Sequence, residues 1–329
     1  MKRVYRFVPM NDSTLTTLTS KIHNNPKGIN LLDYLCERFP YKNRNAWIEA
    51  ITSGQVVING LKSLPDQVLK LKDSVSYTSL RREPEVATNI ETIFEDDYLL
   101  VVNKPAPLPV HAQGAFIINT LICILRQRTG NEDLGLGHRL DRETSGVLIL
   151  AKDRSLTGKL MARFEESNVE KWYLAVTRGQ IDFKEKLISG WMGTKPNSLI
   201  GMRKELKSEK TEGYQESSTR FFLKEQLKNH SLLACELLSG RTNQIRVHLE
   251  SIGFSIVGDK MYGRDDQEYL DYLRHLEKRG SLSGGGNWDH PRQLLHSWKL
   301  SMNHPVTNER MHWEAPMPQD MKEFVEKNI

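Results

Sequence analysis

Five consecutive apolar residues, Val147-Leu148-Ile149-Leu150-Ala151, follow directly on the charged stretch His138-Arg139-Leu140-Asp141-Arg142-Glu143-Thr144-Ser145-Gly146. Successive side chains of a strand point to opposite faces, so a strand that is apolar at every position reads as buried. Whatever this chain folds into must cover that strand while presenting the charged turn that feeds it. The run is also the longest aliphatic one in the chain. A spanning helix needs roughly 20 apolar residues, which excludes a membrane-spanning protein.

The rest of the chain is read against that strand. Residues 1–20 show no clear period and are expected to form a leader or an edge strand. Leu31, Leu32, Leu35 and Phe39 share one helical face, and Pro40 stops that helix. Ala46, Trp47, Ala50 and Ile51 mark a second helix closed by Gly54. Val56-Val57-Ile58 and the turn pair Asn59-Gly60 predict a hairpin. Residues 21–82 thus form a small domain, with 83–89 as a linker and 90–325 as the main domain. There, Ile90–Glu95, Tyr98–Asn103, Val147–Ala151, Val169–Thr177, Thr219–Leu227 and Leu232–Leu238 read as strands. Helices are expected from Thr120 to Arg128 and around Leu156, Leu160, Met161 and Phe164, with Ser155 as cap. Strands adjoin strands and helices intervene irregularly, which predicts an α+β fold. Residues 264–292 read as a surface insertion.

Charge is uneven. Residues 1–82 carry 13 Lys and Arg against 6 Asp and Glu, whereas the whole chain is only +5. A basic front end suggests a polyanionic partner or a solvated lysine-rich face. Cys36, Cys123 and Cys235 form no CxxC pair, which argues against a disulfide framework and a zinc site and for a reducing, cytoplasmic setting. The 329 residues suffice for cores without such staples. No signal peptide is seen at the start. There is no GxxxxGK[ST] phosphate loop, and His290, His296, His304 and His312 lack ligand spacing.

Three segments could carry chemistry. Asp141 lies between Arg139 and Arg142, and nearby arginines favour an ionised carboxylate, which can act as a nucleophile. On the residues alone, a solvated charge cluster that merely ends a loop is the better reading of the turn. In Gly240-Arg241-Thr242-Asn243-Gln244-Ile245-Arg246-Val247-His248-Leu249, a helix is expected to begin. Arg241 and Arg246 then crowd its start, where the helix dipole disfavours cations. A nearby carboxylate or bound anion would offset that. Lys171 and Tyr173 point the same way from one strand. The tyrosine reads either as a base-stacking ring or as a packed sheet residue.

In this order, the segments resemble the RluA-type RNA pseudouridine synthases. His138–Gly146 is the signature HRLDxxTSG, and Gly240–Leu249 the later GRTxQIRxHL element. The resemblance continues through Asn103-Lys104-Pro105, Pro109-Val110-His111, Gly258-Asp259-Lys260, Tyr262-Gly263, Leu295-His296, His304-Pro305 and Ala315-Pro316, over roughly residues 90–320. Pro107, Ala112 and Asn243 depart from the family's usual residues. Residues 29–77 are similar to the αL-type (ribosomal S-four-like) RNA-binding domain, with Asn43 where Ser is usual.

The resemblance implies a mixed, largely antiparallel sheet with a central RNA-binding cleft, preceded by a small RNA-binding domain. It implies isomerisation of uridine to pseudouridine without cofactor or metal. Asp141 is then the catalytic aspartate, paired with Arg241. Tyr173 packs on the uracil, and Arg139 holds the flipped nucleotide. Lys171, Lys104, Arg142 and Arg246 are expected RNA contacts in the main domain, and Lys42, Arg44 and Lys62 in the small one. The sequence leaves open whether the carboxylate attacks the sugar, adds to the base or removes a sugar proton. The expected partner is large-subunit ribosomal RNA, with transfer RNA second, and the expected state is a monomer. A non-catalytic RNA-binding or ribosome-assembly protein and a nucleoside hydrolase are the alternatives.

Overall fold

A computed structural model of the protein describes residues 14–22, 28–39, 42–81, 83–165, 169–279 and 286–329. They fall into two compact units, one within residues 10–82 and one running from Glu83 to Ile329.

The first unit runs β1 (Thr14–Lys21), α1 (Leu31–Arg38), α2 (Arg44–Thr52), β2 (Val56–Ile58), β3 (Leu61–Lys62) and β4 (Ser74–Arg81). Each helix is started by an asparagine. Asn30 accepts from the Asp33 amide at 2.8 Å and Asn43 from the Ala46 amide at 2.9 Å, caps worth about 1 kcal/mol each. Asn43 thus does the capping work of the serine it replaces. Leu31, Leu35, Trp47 and Ile51 bury their side chains against Val56, Val75 and Tyr77. Residues 14–20, expected as part of a leader or an edge strand, pair with β4 in the edge strand β1 of the order β1-β4-β2-β3. Backbone ladder bonds place them, which is why no side-chain period announced them. Residues 1–13 of that expected leader lie outside the described residues.

The second unit contains β5 (Glu91–Glu95), β6 (Leu99–Lys104), α3 (Leu121–Thr129), β7 (Gly135–Leu136), β8 (Ser145–Ala151), α4 (Arg154–Glu165), β9 (Glu170–Arg178), β10 (Glu185–Thr194) and β11 (Lys204–Lys207). It continues with β12 (Gln215–Gln226), β13 (His230–Leu237), α5 (Gln244–Ser251), α6 (Asp266–Arg279), β14 (Leu295–Asn303), β15 (Arg310–Glu314) and α7 (Gln319–Lys327). Its strands form one mixed, mostly antiparallel sheet in the order β11-β10-β12-β13-β9-β14-β8-β6-β5, with β15 beside β14 and β7 beside β8. The apolar run is covered on both faces, as its composition requires. Leu148 and Leu150 pack with Leu121 and Leu125 of α3, and Val147 and Ile149 with Leu160 of α4 and Trp313. The helix α4 is capped by Asp153, which accepts from the Ser155 amide at 2.6 Å, and not by Ser155 itself.

Among the described residues the single parallel strand pairing, β14 with β8, joins His296 to Ser145 and Ser297 to Gly146. Gly146 has φ +110°, and a Cβ there would collide with the Ser297 carbonyl. Only glycine permits this approach, which is where the charged turn enters the sheet. Beside it, His296 donates Nε2–H to the Ala315 carbonyl at 3.0 Å, and its Nδ1 lies 2.9 Å from the Ser145 hydroxyl. Burial pushes the His296 pKa down to about 4. Below pH 6.5 the unfolded chain therefore holds a proton that the folded chain refuses, and stability is lost as pH falls toward 4. Urea unfolding at pH 7 and pH 5 is expected to show this loss. His296→Gln should reduce it by about 1 to 2 kcal/mol.

Of the segment 264–292, expected as a surface insertion, the described residues 264–279 and 286–292 include side chains packed into the unit. Tyr272 and Leu276, spaced four apart on α6, are 1% and 3% exposed. Asp289 holds Arg178 at 2.7 Å and the Gly258 amide at 3.0 Å.

Candidate active site

Asp141 sits in the turn between β7 and β8. Its Oδ2 accepts from Arg246 Nη1 at 2.8 Å and from Gln293 Nε2 at 3.2 Å. The carboxylate keeps 34% of its side-chain surface open. The ionic partner is therefore Arg246, not the expected Arg241. Arg246 lies in the first turn of α5 and points into the unit. Arg241 precedes the helix, is exposed, and gives its Nε–H to the Glu216 carbonyl at 3.1 Å.

Arg246 is also not the RNA contact it was expected to be. It is 8% exposed and forks onto Asp259, with Nε 2.7 Å from Oδ2 and Nη2 2.9 Å from Oδ1. Its guanidinium lies over the Tyr262 ring at 4.8 Å. Asp259 is itself fixed by the amides of Met261 and Tyr262. Burial opposes the charge on Arg246, but Asp259 and Asp141 outweigh it, and the pKa rises well above the ordinary arginine value. These two carboxylates offset the unfavourable placement of a cation at a helix start. Asn243, in the left-handed region at φ 62°, accepts from Arg246 Nη1 at 3.0 Å and donates to the Tyr262 hydroxyl at 3.1 Å. It keeps the guanidinium in line.

Below the turn lies a second set of buried charges. Glu143 receives Lys260 Nζ at 2.8 Å, Arg142 Nη2 at 2.9 Å, the Tyr272 hydroxyl at 3.1 Å and the Gln293 amide at 3.1 Å. Burial would raise its pKa, yet Lys260 and Arg142 hold it at about 2. Arg142, expected on RNA, is committed here and lies between the rings of Phe116 and Tyr272. Lys104, expected on RNA, is fully buried. Its Nζ donates to the carbonyls of Pro105, Leu108 and Arg142 at 3.0, 2.8 and 3.2 Å. Burial, first of all, takes its pKa well below the usual lysine range. Lys104 ties the turn's backbone to the loop after β6.

The remaining expected residues lie around the carboxylate or on the first unit. Tyr173 on β9 is partly buried. Burial pushes its hydroxyl up to about 12, and the Asp141 charge acts in the same direction. Lys171, on the same side of β9, is partly buried. Burial, and then Arg241, lower its pKa. Arg139 is exposed, and its charge adds to burial in lowering the pKa of His111. In the first unit, Lys42 Nζ lies over the rings of Trp47 and Tyr77 at 5.6 and 5.4 Å, and Arg44 pairs with Asp33 at 2.7 Å. Lys62 lies exposed on β3. Gln293 and Tyr272, which no motif singled out, complete the frame. Among the described residues, no group of three or more His, Cys, Asp and Glu is placed to hold a metal ion, and no helix is long and apolar enough to cross a membrane.

The arrangement is a carboxylate held on one oxygen by buried donors, about a third open to solvent, and bordered by a tyrosine. Such a group serves nucleophilic or proton-transfer chemistry. The family model described as RNA pseudouridylate synthase matches residues 98–251. Ribosomal large subunit pseudouridine synthase D of Zymomonas mobilis is 30% identical over 287 residues, covering 83% of this chain and 85% of that protein. Ribosomal large subunit pseudouridine synthase C of Escherichia coli is 32% identical over 289 residues, covering 84% and 86%. The structure of human RNA pseudouridylate synthase domain containing 1 superposes with a TM-score of 0.53 at 25% identity, covering 74% of this chain and 96% of that one. The sheet that carries Asp141 and the order of motifs along it thus have one explanation: the chain belongs to the RluA-type RNA pseudouridine synthases, isomerases that convert uridine in RNA to pseudouridine.

Proposed function

We propose that the protein isomerises uridines in ribosomal RNA of the large subunit, with Asp141 as the catalytic carboxylate. The single observation that carries the assignment of Asp141 is its anchoring: Arg246, itself locked on Asp259, holds the carboxylate at a partly open surface. The relatives named above as ribosomal large subunit enzymes support the choice of RNA. The reaction breaks the bond between the ribose and uracil N1, turns the ring and joins the ribose to C5, which releases the C5 hydrogen. Extruding the uridine from its stack costs a few kcal/mol. We assign Arg139, exposed beside the turn, to holding the extruded state, and Tyr173 to packing on the uracil. The basic first unit supplies backbone contacts through Lys42, Arg44 and Lys62, which position RNA without reading its sequence.

The substrate class is tested by mapping pseudouridine in total RNA, by reverse-transcription stops after carbodiimide labelling. Cells lacking the protein are compared with cells in which it is restored. Stops that return in large-subunit ribosomal RNA support the proposal. Stops that return only in transfer RNA would move the substrate there while leaving the chemistry intact.

A further inference from the structure

Asp141 is held by two donors on the same oxygen, and only one of them belongs to a segment that the motifs identify. The other is Gln293, in the loop before β14. The residue is 3% exposed. Its amide nitrogen spends both hydrogens on the turn, one on Asp141 Oδ2 at 3.2 Å and one on Thr144 Oγ1 at 2.7 Å. The orientation of the amide follows from chemistry: an ionised carboxylate only accepts, so the nitrogen must face it. The backbone of Gln293 is fixed as well. Its N–H is held by Glu143 Oε2 at 3.1 Å and its carbonyl by Arg292 Nη1 at 2.9 Å. Among the described residues, no hydrogen bond reaches Asp141 Oδ1.

We propose that Gln293 is a positioning residue of the isomerase: with Arg246 it pins Asp141 by Oδ2, so that Oδ1 is the oxygen presented to the uridine. Arg246 supplies charge, and Gln293 supplies direction. A carboxylate held by one arginine contact can still swing about that contact. A second donor from a different segment, tied to Thr144 on the far side, removes the swing. Pre-organisation of this kind lowers the barrier because no reorientation is left for the reacting state. The inference rests on Asp141 being the catalytic carboxylate.

The test is the single-turnover rate of tritium release from C5-tritiated ribosomal RNA between pH 5 and pH 9, with thermal melting of each variant alongside. Gln293→Leu removes the donor and is expected to slow release about tenfold to a hundredfold at every pH. Gln293→Glu keeps the shape but sets a second carboxyl group against Asp141. Two touching carboxylates ionise together only at higher pH. The acidic limb of its profile is therefore expected to move up by a pH unit or more, with the rate recovering toward alkaline pH. A purely structural glutamine would lower the melting temperature and scale the whole profile without moving its limb. Thr144→Val, which frees one side of the amide, is expected to slow release severalfold and serves if either Gln293 variant fails to fold. An unmoved limb in Gln293→Glu, or Gln293→Leu and Thr144→Val within twofold of wild type, would overturn the proposal. If Asp141→Ala also retained activity, the underlying assignment of Asp141 would fall instead.

Discussion

Asp141→Asn is expected to lower the single-turnover rate of tritium release by at least about 10³-fold, with little change in melting temperature or RNA affinity. The amide has the shape of the carboxylate and keeps an oxygen for Arg246 and Gln293 to meet. What it lacks is the negative charge that any of the three routes needs, whether attack on the sugar, addition to the base or removal of a sugar proton. A thousandfold loss corresponds to about 4 kcal/mol of barrier. The fold should tolerate the change, because Arg246 retains its fork on Asp259. Single-turnover kinetics, thermal melting and filter binding on one preparation separate these effects. A rate within tenfold of wild type would remove Asp141 from the chemistry.

Arg246→Met is expected to damage both stability and turnover. Asp259 is fully buried, and its carboxylate would lose the guanidinium that forks onto it. Leaving a buried charge unpaired costs about 3–5 kcal/mol, or roughly 10 °C in a unit of this size. Turnover should fall by about 10²-fold or more, because Asp141 loses its charged anchor as well. Arg246→Lys should not restore it, since an ammonium cannot fork onto Asp259 and reach Asp141 in the same geometry. The double variant Arg246→Met, Asp259→Leu separates the two effects. With neither charge buried, much of the stability should return, while turnover stays low. Arg241→Gln, at an exposed position, is the control and is expected to cost far less than Arg246→Met. Equal losses for Arg241 and Arg246 variants would contradict the geometry.

The contrast between these two arginines shows how far the sequence can be read. The apolar run at Val147–Ala151 implies a buried strand, and the strand-next-to-strand pattern implies the α+β sheet. Both follow from local periodicity. The motif around Asp141 was equally legible, because its residues are contiguous. Which arginine meets the carboxylate was not, for it depends on the rotation of α5. The helix Gln244–Ser251 turns Arg246 inward, while Arg241 precedes it and stays outside. The crowding of cations at that helix start did signal a carboxylate nearby, and there are two.

Lys104 and Arg142 mislead for a related reason. The resemblance implies RNA contacts for both, yet Lys104 is buried with its ammonium on backbone carbonyls, and Arg142, partly buried, pairs with Glu143 and the Tyr272 hydroxyl. Only the long-range contacts between β6, the turn and α6 reveal that. Gln293 is the extreme case. It stands 152 residues beyond Asp141 in the chain, and a glutamine between an arginine and two leucines carries no local signal of its role. The parallel pairing of β14 with β8 is what brings it there.

The central claim is that this chain isomerises uridine in RNA through the Asp141 carboxylate. The most direct measurement incubates wild type and Asp141→Ala, in parallel, with C5-tritiated ribosomal and transfer RNA from cells lacking the protein, and counts tritium in the water. Forming the bond to C5 expels that hydrogen, so the account predicts release by the wild type only. Binding of RNA without release by the wild type, or equal release by both proteins, would contradict it.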